Sequence, residues 1–191
     1  MSFLQQLRAA PNLLTLMRLF IIPFTVIEIL DHKYGVALTL FIAAGISDAL
    51  DGRIARWLKQ STRLGQYLDP IADKLLLSTL FLTITHMALV PRYVTVLVFS
   101  RDFGILLIAT LLYATNTLRD FQPSLLGKLN TFAQIVTVLV LLCEQVWPWL
   151  SHPMLNSLLV GSIAWLAPLS AAQYAWIVTR RISERGQSVA G

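Results

Sequence analysis

The sequence predicts an all-α integral membrane protein of six transmembrane helices preceded by an N-terminal interfacial helix. Three observations predict it. The 191 residues are 56% hydrophobic and only 13% charged, with a mean hydropathy of +0.67, more apolar than soluble domains tolerate. Apolar runs of about 20 residues, the length that crosses a bilayer, recur along the whole chain. The basic residues fall on alternate sides of those runs, as the positive-inside rule requires.

Taken in order, residues 1–12 place Phe3, Leu4 and Leu7 on one helical face, the pattern of a short helix lying in the membrane interface. Their apolar region is too short for a cleavable signal peptide. The spans are expected at 13–30, 35–57, 68–90, 92–115, 124–147 and 157–179. Pro91, Pro123, Pro148 and Pro153 punctuate the short connections. Trp147 and Trp149 mark the outer end of the fifth span as interfacial anchors. Residues 180–191 form a tail. No linker or internal repeat divides 1–191, so a single domain is expected.

With the N-terminus in the cytoplasm, the inner segments carry Arg8, Arg53, Arg56, Lys59, Arg63, Arg119, Lys128, Arg180, Arg181 and Arg185. The outer loops carry only Lys33 and Arg92. That bias predicts a multi-pass protein with both termini on the cytoplasmic side. It also accounts for the net charge of +5: basic residues beside membrane spans orient the chain and meet anionic lipid, so no nucleic-acid partner is expected. Cys143 is the one cysteine and excludes an internal disulfide. His32, His86 and His152 are scattered near span ends, with no spacing that suggests zinc.

The stretch DALDGRIARWLKQSTRLGQYLDPIADK, residues 48–74, holds four of the ten acidic residues. Asp48 and Asp51 are three apart, Asp69 and Asp73 four apart, so each pair shares a helix face. Either pair alone would also suit a solvated turn. Folded back on one another, the second and third spans would bring four carboxylates to one depth. Such a group repels itself strongly at low dielectric and suits hard divalent cations, Mg²⁺, Mn²⁺ or Ca²⁺, with ligands enough for two ions. An ion with open positions then takes phosphate oxygens. Gly52, Ala55 and Gly65 leave the backbone approachable, and Arg56 is placed to bind a phosphate.

Written out, the pattern is Asp48-x2-Asp51-Gly52-x2-Ala55-Arg56-x8-Gly65-x3-Asp69-x3-Asp73. It resembles the signature of the CDP-alcohol phosphatidyltransferases at every defined position. The resemblance extends over nearly the whole chain, since that family also has six spans, an N-terminal interfacial helix and a cytoplasmic-side site. It implies transfer of the phosphatidyl group of CDP-diacylglycerol to an alcohol with release of CMP. Asp48, Asp51 and Asp69 would then hold two Mg²⁺ or Mn²⁺ ions. Asp73 would complete that site and act as general base on the acceptor hydroxyl. Gly52, Ala55, Arg56, Thr62 and Gly65 would line the CDP pocket. The protein would be a homodimer. Pro11-Asn12-Leu13-Leu14-Thr15-Leu16-Met17-Arg18 resembles the first-span opening of glycerophospholipid-making members, with Asn12 and Thr15 either reaching the nucleotide or capping the first helix.

Two further segments bear on the acceptor. Arg101 stands about ten residues into the fourth span, where a charge is a functional candidate by default. It would grip an acceptor phosphate or pair with one of the four aspartates. Asp102 is adjacent, but neighbouring side chains on a helix diverge, so no local ion pair is expected. Lys128, Thr131 and Gln134 form a polar stripe entering the fifth span, although snorkelling explains Lys128 alone. Phosphatidylglycerophosphate synthases are expected to carry Arg-Glu in span four and Gly-Lys-x-Lys-Thr-x2-Gln in span five. Here the residues are Arg101-Asp102 and Gly127-Lys128-Leu129-Asn130-Thr131, after Pro123-Ser124. This resembles the CMP-forming cardiolipin synthases, whose anionic acceptor is phosphatidylglycerol. Glycerol 3-phosphate is the alternative acceptor. A small cation transporter is the reading from a different class, but no ionisable path crosses to the outer side.

Overall fold

The structure is a computed structural model that describes residues 10–58, 63–114 and 124–190, with side chains for 15–50, 72, 74–108, 110–111 and 124–181. The described residues form six α-helices and no strand: α1 (Ala10–Leu30), α2 (Tyr34–Leu58), α3 (Arg63–His86), α4 (Arg92–Ala114), α5 (Leu125–Val146) and α6 (Pro153–Ala190). A 3-10 turn, Pro148–Leu150, joins the last two. Each of the six expected spans overlaps one helix. The segment 1–9, most of the expected interfacial helix, lies outside the described residues.

Among the described residues two helices, Leu125–Val146 and Pro153–Arg181, are long and apolar enough by themselves to cross a membrane, and Tyr34–Leu50 and Lys74–His86 are shorter apolar stretches. Every helix also turns large apolar side chains outward. Phe20 is 71% exposed, Val96 65%, Phe132 66% and Trp165 74%. Such surfaces associate in water, whereas a hydrocarbon solvent tolerates them. Hydroxyls on the helices bond to their own backbone: Thr25 donates to the Ile21 carbonyl at 3.0 Å, Thr83 to Thr79 at 2.8 Å and Thr137 to Ala133 at 2.7 Å. No solvent partner is then needed.

The chain divides into two compact units, Met1–Val90 with Val138–Ser151, and Pro91–Thr137 with His152–Gly191. In the first, α1 packs against both α2 and α3. The buried stripe of α2 is Ala37, Leu38, Phe41 and Ala44, and that of α3 is Ala72, Leu76, Leu77, Leu80, Phe81 and Ile84. Both follow helical spacing, and the fully buried alanines Ala37 and Ala44 leave room for close helix approach. In the second unit α4 packs against α6, burying Val94 and Val98 of α4 and Ile163, Ala167, Ser170 and Tyr174 of α6.

Two turns close on left-handed residues, His32 and Ala88, each at φ 58°. At the first, Lys33 N–H donates to the Glu28 carbonyl at 2.8 Å, and at the second Leu89 N–H donates to Ile84 at 2.9 Å, the bond of a Schellman helix end. This second closure is why α3 stops at His86, short of the expected residue 90. At the other extreme, α6 runs 38 residues through Pro168. It continues past 179 because the arginines and glutamate beyond are good helix formers.

Replacing Phe81, fully buried, by alanine should cost about 3–5 kcal/mol of stability, while Leu82→Ala, at a position 51% exposed, should cost under about 1 kcal/mol. Unfolding of the two variants in the same detergent checks this, and equal losses would misplace the first unit's core.

Candidate active site

The aspartate motif lies on two helices of the first unit. Asp48, Asp51, Gly52, Ala55 and Arg56 belong to α2, and Gly65, Asp69 and Asp73 to α3. Both helices pack on α1. The helical conformation needed to put each pair on one face is therefore present over both halves of the motif. Thr62 lies outside the described residues, as do the side chains of Asn12, Asp51, Gly52, Ala55, Arg56, Gly65, Asp69 and Asp73.

The described anchor of this region is an ion pair. Arg18 Nη2 on α1 meets Asp48 Oδ1 on α2 at 2.8 Å, with the arginine side chain 1% exposed and the aspartate 51%. A guanidinium this deep needs a counter-anion, and Asp48 supplies it while half its surface stays accessible. Thr15, one turn before Arg18, is fully buried. Sequence reasoning placed Thr15 among the candidates and passed over Arg18. The missed signal was the charge itself, eight residues into the helix among apolar neighbours, on the same face as Thr15.

A second polar cluster lies in the second unit. Arg101 on α4 is 8% exposed and Asp102 6%. Contrary to expectation, Arg101 Nη1 pairs with the Oδ1 of its neighbour Asp102. The long arginine stem carries its fork around the helix, and with both groups buried no water competes for them. Arg101 Nε also donates to Ser170 Oγ at 3.0 Å, and Ser170 in turn donates to the Ala167 carbonyl at 2.9 Å. The remaining nitrogen, Nη2, lies against α5: a Cβ added at Gly127 would stand 2.8 Å from it, and 2.9 Å from Ser124 Oγ. Gly127 is thus a close-approach glycine. Ser124 caps α5, its Oγ accepting from Gly127 N–H at 3.1 Å.

The polar stripe of α5 is rotated from its expected position. Lys128 is exposed and Thr131 only half-buried, with Thr131 Oγ1 donating to the Gly127 carbonyl at 3.2 Å. The buried polar face is Gly127, Asn130, Gln134 and Thr137. Gln134 is the member shared with the expected stripe. Asn130, noted in the sequence only as a lysine's replacement, proves fully buried.

A family model described as CDP-alcohol phosphatidyltransferase matches residues 8–178. Among curated proteins, the chain is 36% identical over 155 residues to the cardiolipin synthase (CMP-forming) of Rattus norvegicus, covering 72% of this chain and 51% of that one. It is 34% identical over 155 residues to the protein of the same name from Homo sapiens, with 72% and 51% covered. It is 33% identical over 151 residues to the CDP-diacylglycerol–glycerol-3-phosphate 3-phosphatidyltransferase of Bacillus subtilis, with 71% and 77% covered. The chain spans about half the length of the two mammalian relatives.

Asp48→Ala removes the carboxylate that faces buried Arg18. Because Asp48 is half exposed, the loss should be about 1–2 kcal/mol, below that of a fully buried pair. Arg18→Met should cost less, since Asp48 keeps its access to solvent. Thermal unfolding of both variants measures the order, and the reverse order would mean that the pair does not hold α1 to α2.

Proposed function

The chain belongs to the CDP-alcohol phosphatidyltransferase family, and from that premise we propose that it transfers the phosphatidyl group of CDP-diacylglycerol to the headgroup hydroxyl of phosphatidylglycerol, yielding cardiolipin and CMP. The observation that carries the reading is the complete eight-position aspartate motif, set on two helices that both pack on α1. In the reaction the acceptor oxygen forms a bond to the phosphorus bearing the diacylglycerol. The anhydride bond to CMP breaks, and CMP leaves with its electron pair. The hydroxyl proton passes to Asp73 as general base.

Asp48, Asp51, Asp69 and Asp73 would hold two Mg²⁺ or Mn²⁺ ions. An all-carboxylate donor set fits hard cations, and the half-exposed Asp48 carboxylate retains access for an ion beside its arginine. When bound, the ions would neutralise the diphosphate and stabilise charge on the leaving phosphate. Asn12, Thr15, Gly52, Ala55, Arg56, Thr62 and Gly65 would bind the donor's CDP group. The helices would form six membrane spans, with both termini and the site on the cytoplasmic side, and two copies would associate as a homodimer.

Arg101 and Lys128 would bind the acceptor. The surroundings of Arg101 support a phosphodiester over a phosphomonoester. Asp102 already balances its charge, Asn130 is neutral, and Lys128 is exposed. With Lys128 the uncompensated cation, a dianion such as glycerol 3-phosphate would meet less positive charge there than it carries. Glycerol 3-phosphate remains the second reading, supported by the Bacillus relative that carries its name.

Purified chain given CDP-diacylglycerol with Mn²⁺ should release CMP, and chromatography of the lipid product distinguishes the two acceptors. Chelation should stop the reaction and added Mn²⁺ restore it. Asp73→Asn should lower turnover at least about a hundredfold while much of the CDP-diacylglycerol binding survives. Undiminished turnover in that variant would remove Asp73 from the chemistry.

A further inference from the structure

Asn130 and Gln134 are both 0% exposed, and none of their four side-chain amide atoms has a hydrogen-bond partner among the described residues. Buried polar groups are nearly always satisfied, and a carboxamide left bare in an apolar setting is disfavoured enough to need a reason. The hydroxyls of the same helix offer a contrast: Thr131 and Thr137 bond to their own backbone. The unsatisfied amides follow Gly127 by three and seven residues, so they continue its face of α5. Arg101 Nη2 lies against that glycine and has no partner among the described residues.

A row of this composition specifies its ligand. Each carboxamide offers two N–H donors and a carbonyl acceptor. A phosphate oxygen only accepts, a cation asks only for oxygen, and an acyl chain does neither. A hydroxyl both donates and accepts, so vicinal hydroxyls on a short polyol fit both amides. The uncommitted Arg101 nitrogen at the head of the row suits a phosphodiester oxygen. We infer that Asn130 and Gln134 are specificity-determining residues that hydrogen-bond the glycerol hydroxyls of a phosphoglycerol headgroup whose phosphodiester is held by Arg101. The inference rests on the proposed acceptor and adds how the headgroup is told from one lacking a hydroxyl. It also explains why two amides persist on a buried face where leucine or methionine would be more stable.

The test compares phosphatidylglycerol with phosphatidyl-1,3-propanediol, which keeps the terminal nucleophilic hydroxyl and lacks the central one. CDP-diacylglycerol and Mn²⁺ are held fixed with the full chain in nanodiscs. Wild-type protein should prefer phosphatidylglycerol by about tenfold or more in kcat/KM, because the analogue leaves an amide unpaired. Asn130→Leu and Gln134→Met should bring the two acceptors within about twofold of each other, chiefly by slowing phosphatidylglycerol, with the donor KM unchanged. Gln134→Met is close in shape and removes an unsatisfied amide, so it should melt no lower than wild type and can carry the test alone. Equal losses with both acceptors would show that the amides serve packing or a bound water, and would overturn the inference. An undiminished wild-type preference in both variants would overturn it as well, leaving the phosphatidyl-transfer reading intact. Absence of CMP release by wild-type protein with any acceptor would overturn that reading and this inference with it.

Discussion

Charge in an apolar chain must be matched, and that constraint organises this molecule. Among the described residues two arginines are buried, and each meets an aspartate: Arg18 reaches Asp48 on another helix, and Arg101 folds back on Asp102. The first pair ties α1 to α2 at the beginning of the aspartate motif. The second nearly neutralises α4 where a strong cation was expected. Neither pair is surface decoration of the kind that contributes little, because at least one member of each lies where water cannot substitute for its partner.

The two pairs divide the chemistry differently. Asp48 is a member of the carboxylate motif, so the charge that anchors the helix also belongs to the set proposed to hold metal. Arg18 thereby biases how much negative charge that set presents. Asp102 is outside the motif, and its effect is to reduce the pull of Arg101 on doubly charged anions. With the neutral Asn130 on the α5 face that Gly127 presents to Arg101, this unit offers the proposed acceptor hydrogen bonds more than charge. Under the proposed acceptor assignment, recognition by hydroxyl count would matter alongside recognition by phosphate.

Much of this was legible from residue order. Six apolar runs mark six helices, and both halves of the aspartate motif are helical. The misreadings have physical causes. Hydropathy treats Arg18 as a blemish in an apolar run, though its burial beside Thr15 makes it an organising residue. The rule that adjacent helical side chains diverge fails for Arg101 and Asp102, because it describes Cβ directions and not the reach of a guanidinium. The stripe drawn through Lys128 and Thr131 was turned by less than one helical step, since lysine can leave a buried face while Asn130 stays on it. The end of α3 depends on Ala88 entering the left-handed region, for which alanine carries no local signal.

The corner at His32 has an implication for sequence change. Arg18 lies fourteen residues before it and Asp48 sixteen after, about 21 and 24 Å along their helices. The two partners meet because they are nearly equidistant from the reversal. A residue added or deleted between Leu30 and Tyr34 that the tight closure at His32 could not absorb would slide one helix by about 1.5 Å and swing it by about 100°, carrying the carboxylate away from its arginine. Substitution at this exposed bend should therefore be tolerated far more readily than any alteration of its length.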